Sequence, residues 1–184
     1  MYRMARAIVF VWATLALAVA AHAQDSAGSD HEQIRSVMAR YVYALDGKDA
    51  ESYAGVFAPD AVLVYGGGEA RGRDTLRGMV EGLREREQAA RAEDASGLRP
   101  ARGRHFMTNL VIEVEGDQAR VKDYWMHLYN NNPERTPAVS SYGHAENELV
   151  RIDGEWLISY RRIYNEQSED RWARDDNSSF VIPR

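Results

Sequence analysis

At His105 the hydrophobic pattern of this chain changes its period, and that change limits the folds open to it. Upstream, Ile34, Val37, Met38, Tyr41 and Leu45 recur at spacings of three and four, which marks one buried helical face. Asp49 is placed to cap a second short helix in which Tyr53, Val56 and Phe57 face inward, ended by Pro59 and Asp60. A strand follows over 61–65, then Gly66-Gly67-Gly68 as a turn into a second strand near 69–72. A third helix starts near Asp74 with Leu76, Met79, Val80 and Leu83 on one side. Residues 84–104 read as its charged extension running into a loop.

From His105 the alternation is twofold. Phe106, Leu110, Ile112 and Val114 punctuate one strand, and Glu115-Gly116-Asp117 turns the chain into the next, over 119–129. A third covers 141–152, and Asp153-Gly154 turns it into a fourth over 156–163. Helices first and a meander afterwards predict an α+β domain. Its expected form is a cone-shaped α+β barrel, three N-terminal helices packed on a curved, mixed but mostly antiparallel sheet.

The ends are separate matters. Arg3 and Arg6 precede a thirteen-residue apolar run from Ile8 to Ala20, and Ala21-His22-Ala23 fits a signal-peptidase site. Thirteen residues fall short of the roughly 20 that span a bilayer. Residues 1–23 are therefore expected to be an export signal, and a periplasmic or secreted protein follows, with no stable membrane anchor. Residues 24–30 read as a polar linker, 31–165 as one domain, and 166–184 as a tail. The chain has no cysteine, so in an oxidising compartment the fold would rest on its core alone. Its net charge of −5, more acidic once the two signal arginines are removed, argues against a nucleic-acid partner.

Asp46, at the exit of the first helix, and His105, at the start of the meander, form a candidate general-base pair. The carboxylate would fix the imidazole tautomer and stabilise its protonated form. Each has a plainer reading: a satisfied core histidine, and a helix-end turn residue bonding local amides. On the strand over 119–129, Arg120 and Lys122 look outward, so Val121, Asp123, Trp125, His127 and Tyr129 should look inward. Polar groups there need partners or a polar pocket. Tyr65 is a natural donor to a developing oxyanion. His105, His127 and His144 lack ligand spacing, so no metal is expected, and Gly66-Gly67-Gly68 lacks the Lys-Ser/Thr of a phosphate loop. Asn177-Ser178-Ser179 fits a glycosylation sequon, a pattern short enough to occur by chance.

Several pieces in this order resemble the SnoaL-like branch of the nuclear transport factor 2-like superfamily. They are Tyr41-x-x-x-Leu45-Asp46-x-x-Asp49, Val56-Phe57-Ala58-x-Asp60-Ala61 and Gly72-Arg73. Further on come Arg104-His105-x-x-Thr108-Asn109, Glu146-Asn147-Glu148-Leu149-Val150-Arg151 and Asp153-Gly154-x-Trp156. Within it the chain is similar to dehydratase-type members: scytalone dehydratase, bile-acid 7α-dehydratase and hexachlorocyclohexane dehydrochlorinase. The resemblance implies a cofactor-independent lyase or isomerase with Asp46, His105 and Tyr65 as catalytic residues. Tyr41, Asp123, Trp125, His127 and Asn147 would line the pocket around a small apolar carbonyl or hydroxylated substrate. A homodimer through the sheet is also implied. Asn147 stands where many relatives carry aspartate, and Trp125 where scytalone dehydratase has a second histidine. The competing reading is a non-catalytic ligand-binding or protein-association module of the same fold. A hydrolase with a deep Asp–Arg–Asp set is a third.

Overall fold

The structure, a computed structural model, describes residues 28–66, 68–93, 103–130, 132, 134 and 136–167. The expected export signal, the tail beyond residue 167 and most of the loop after the third helix lie outside the described residues.

Helix α1 is already formed at residue 28 and runs to 47, so the last residues assigned to the linker are helical. The cause is Asp30. It is buried, and its carboxylate accepts from Arg151 at 2.7 Å and from the Trp156 indole at 3.2 Å. Ile34, Val37, Met38, Tyr41 and Ala44 then press into the core, with Leu45 partly covered. The helix ends at residue 47, and Lys48, the residue after Gly47, takes the left-handed conformation (φ 56°). The Lys48 and Asp49 amides close the end onto the carbonyls of Leu45 and Ala44.

Helix α2 (Ala50–Gly55) is capped by Asp49, which accepts from the Ser52 amide at 3.0 Å and its hydroxyl at 2.6 Å. Strand β1 (Phe57–Tyr65) follows at once. Phe57, Pro59 and Asp60 thus belong to the strand and not to the helix and its stop. The parallel ladder to the last strand breaks between Phe57 and Val62, and such an irregular stretch tolerates a proline that has no amide to donate. Strand β2 (Gly68–Arg71) pairs back on β1, and α3 (Arg73–Glu93) buries Leu76 and Val80.

Four antiparallel strands complete the fold: β3 (Arg104–Glu115), β4 (Gln118–Tyr129), β5 (Ala138–Ile152) and β6 (Glu155–Asn165). The sheet order is β2-β1-β6-β5-β4-β3, with β1 and β6 parallel. The sheet is mixed and mostly antiparallel as expected, but it stays open, with β2 and β3 as its edges. The helices cover one face.

Bulges in β3, β5 and β6 help decide which side chains reach that inner face. In β3, Asn109 takes a φ of 55°, and the pairing with β4 jumps between Thr108 and Val111. The jump reverses the alternation. His105 and Met107 before it, and Leu110, Ile112 and Val114 after it, are all half-buried while Phe106 and Thr108 are exposed. Strict period two predicts the opposite faces for Leu110 and Asn109. In β5, Ser140 is the extra residue between partners Val139 and Ser141.

Candidate active site

Helix α1 delivers Asp46 against the first residues of edge strand β3. One carboxylate oxygen lies 2.6 Å from His105 Nδ1, and the other accepts the His105 backbone amide at 2.9 Å. Ring and backbone are therefore gripped by the same carboxylate. With Asp46 ionised, Nδ1 carries the proton and donates it, and Nε2 is left as the basic atom. Burial pushes the Asp46 carboxyl up, but the two hydrogen bonds from His105, with the charges of His105 and Arg104, outweigh it and hold the group below the usual carboxylate range. These contacts also relieve a charge set at the negative end of a helix dipole.

The pair opens into a cleft between α1 and β3 with a volume of about 600 Å³, within the usual size for a small-molecule site. One wall is a helical stripe, Arg35, Met38, Ala39, Val42, Tyr43 and Asp46; Met107, Leu110 and Phe106 form much of the other. From Arg35 to Asp46 the stripe runs about 16 Å at roughly 1.5 Å per residue. Apolar groups dominate it, and the polar ones gather at its two ends.

The other sequence-predicted positions divide into three groups. Tyr41, Asp123 and Asn147 do not line the cleft: they are buried around Arg161, which is itself only 2% exposed. Arg161 donates to Asp123 at 3.3 Å and to the Asn147 side-chain oxygen, and its guanidinium lies 4.6 Å from the Tyr41 ring centre. Asn147 in turn donates to Asp123 at 2.9 Å and to the Val121 carbonyl at 2.9 Å. An amide at position 147 both gives and accepts here, so one carboxylate faces one guanidinium. Burial alone would weaken the Arg161 charge; the Asp123 carboxylate more than restores it.

Trp125 faces inward, but its indole N–H is spent on the His144 and Tyr164 carbonyls, both at 3.2 Å. Tyr65 ends β1 four strands away from β3 in the sheet order and packs partly buried against the core. It does not line the cleft, although it faces the same inner side. His127 is brought to the pair: its ring stacks on His105 with centres 4.3 Å apart.

Sequence reasoning placed Met38 and Asp46 but missed the rest of the helical wall, Arg35, Ala39, Val42 and Tyr43. These lie about a third of a turn from the core stripe, and the amphipathic pattern that marks Ile34 and Tyr41 assigns that flank to solvent. Only the absence of charge at Ala39 and Val42 points the other way. Arg161 was missed because a lone arginine on a terminal strand reads as exposed.

A family model described as a SnoaL-like domain matches residues 27–162. The chain belongs to the SnoaL-like family. No curated protein shows significant sequence similarity to it. Among solved structures, this SnoaL-like domain is similar to a protein of unknown function from Mycobacterium tuberculosis, at 26% identity over 82% of this chain and 84% of that one (TM-score 0.64). A protein from Catenulispora acidiphila, solved in complex with S-DNPA, shares 24% identity over 80% and 99% of the two chains (TM-score 0.63). A third, from Novosphingobium aromaticivorans and provisionally described as a scytalone dehydratase, shares 24% over 77% and 87% (TM-score 0.60). At that identity the last two establish the fold alone, the nuclear transport factor 2-like arrangement of helices on an open six-stranded sheet.

Proposed function

We propose that this SnoaL-like protein is a cofactor-independent lyase or isomerase that moves a proton on a small, largely apolar carbonyl or hydroxylated compound. The single observation that carries the reading is the 2.6 Å contact of Asp46 with His105 at the end of an apolar cleft. His105 Nε2 takes a proton from carbon next to a carbonyl. The electron pair forms the new double bond, either expelling a hydroxyl that leaves as water with the proton handed back by His105, or waiting as an enolate for reprotonation elsewhere. Asp46 keeps its charge and stabilises the imidazolium. The named dehydratase relative and the ligand-bound neighbour are consistent with such a site.

The test can be run before any substrate is identified. A panel of cyclic and aryl ketones and β-hydroxy carbonyl compounds is incubated with the protein in D₂O, and deuterium wash-in or water loss is followed by NMR. Catalysed exchange is expected with wild type and should drop by about 10²–10⁴-fold in His105→Ala, with the melting curve and circular dichroism of a folded protein. No exchange across the panel, or exchange indifferent to the substitution, sinks the enzyme reading. A ligand released unchanged in native mass spectrometry would then point to the binding-module alternative.

A further inference from the structure

Behind the base lies a second imidazole with no part in the proton transfer described above. His127 and His105 face each other directly across the β3–β4 pairing, and their rings stack 4.3 Å apart at 26°. Three features hold the His127 ring there. Ser140, set out of the ladder by the β5 bulge, donates its hydroxyl to the His127 carbonyl at 3.1 Å. That leaves the hydroxyl oxygen to accept from His127 Nδ1 at 2.7 Å, so a neutral ring carries its proton on Nδ1. On the far edge, a Cβ on Gly103 would stand 1.9 Å from His127 Nε2. Only glycine at 103 leaves room for this ring position. Tyr129 continues the stack, with centres 5.7 Å apart.

We propose that His127 is a positioning residue for His105: a neutral aromatic plate that fixes the plane of the base and stabilises its protonated form through the π face. The inference rests on His105 being the base. An imidazolium 4.3 Å above a neutral ring is attracted by the ring's quadrupole, and a ring that itself took a proton would repel it. The surroundings keep His127 neutral. Burial lowers its basicity first, and the nearby charge of His105 lowers it further, against the opposing pull of Asp46; Lys48 adds a small push the same way. The titratable or charged groups set against it among the described residues are His105 on β3, Asp46 and Lys48 at the end of α1, and Tyr129 on its own strand. From β5 it meets the neutral Ser140.

The experiment compares His127→Phe with His127→Leu in the full chain, and reads the ring-carbon NMR titration of the histidines without any substrate. Both replacements exclude water and spare the Ser140 bond to the backbone, but only phenylalanine keeps a π face. The His105 signal is expected to titrate in the phenylalanine variant as in wild type, and at a midpoint about 0.5 pH unit lower in the leucine variant. Gly103→Ala, which pushes the ring aside without changing its chemistry, should behave like leucine. Identical midpoints in the phenylalanine and leucine variants would overturn the proposal, as would a Gly103→Ala protein that titrates as wild type. Because no turnover is measured, these outcomes are independent of whether the deuterium-exchange test finds a substrate.

Discussion

Asp46 makes two bonds to one residue, and that duplication sets what its loss should do. An asparagine side chain in its place could still accept the ring proton, but its amide would then point two hydrogens at the His105 backbone amide, a donor facing a donor. Asp46→Asn should therefore cost about 1–3 kcal/mol of stability at neutral pH and lower turnover about a hundredfold or more. The cost should depend on pH in a definite direction. Asp46 is held below its ordinary value by His105 despite burial, so it binds fewer protons folded than unfolded. Its contribution is complete above the ordinary carboxylate value of about 4 and is lost as pH falls through the lowered one. Melting curves of wild type and Asp46→Asn should thus be well separated at neutral pH and converge once pH falls below that carboxylate value; a constant separation would show that the charge is not what stabilises the pair. At this scale the sequence was informative about the pair itself, because a helix end and a strand start are local features. It said nothing of the Asp46 bond to a backbone amide 59 residues away, nor of the indole of Trp125 being spent on carbonyls.

At the scale of elements, β3 matters most, because its bulge lets one edge strand serve both the cleft and the core. Asn109 sits in the left-handed region (φ 55°), which asparagine tolerates and β-branched residues resist at about 1–2 kcal/mol. Asn109→Val should lower the melting temperature by several degrees and loosen the grip on His105, whereas Asn109→Gly should leave both nearly unchanged. Equal melting temperatures for the two variants would refute the role given to the bulge. A twofold hydrophobic pattern reports strand faces only while pairing is regular, so strict alternation puts Leu110 on the wrong side. The asparagine is the one local trace of the irregularity. The helices are easier to read. Asp49 caps α2 as its side chain predicts, yet α2 ends early because Phe57 finds a strand partner in Ile158, a contact that local sequence cannot reveal.

The whole molecule presents a second apolar surface, on the side of the sheet away from the helices. Phe106, Met126 and Tyr142 form one row across β3, β4 and β5, and each is more than a third exposed. The resemblance to the nuclear transport factor 2-like superfamily implies pairing through the sheet, and we expect a second copy of this chain to cover that row. Light scattering coupled to size exclusion should give a dimer for wild type and a monomer for Met126→Glu; a monomeric wild type would remove the expectation. Phe106 also borders the cleft, so a dimer would wall part of the site.

What the sequence determined by itself is set by short-range physics. The 3.6-residue and two-residue periods separated helices from strands, Asp49 marked a cap, and the order of motifs pointed to the SnoaL-like fold with Asp46 and His105 as its chemical pair. Tertiary structure alone decided the rest. It closed Tyr41, Asp123 and Asn147 around Arg161, opened the cleft on the flank of α1, left the sheet unclosed, and laid His127 against His105. Each of these depends on which residues distant in the chain share a face, and the bulges in β3, β5 and β6 that help fix those faces leave almost no mark on the local pattern.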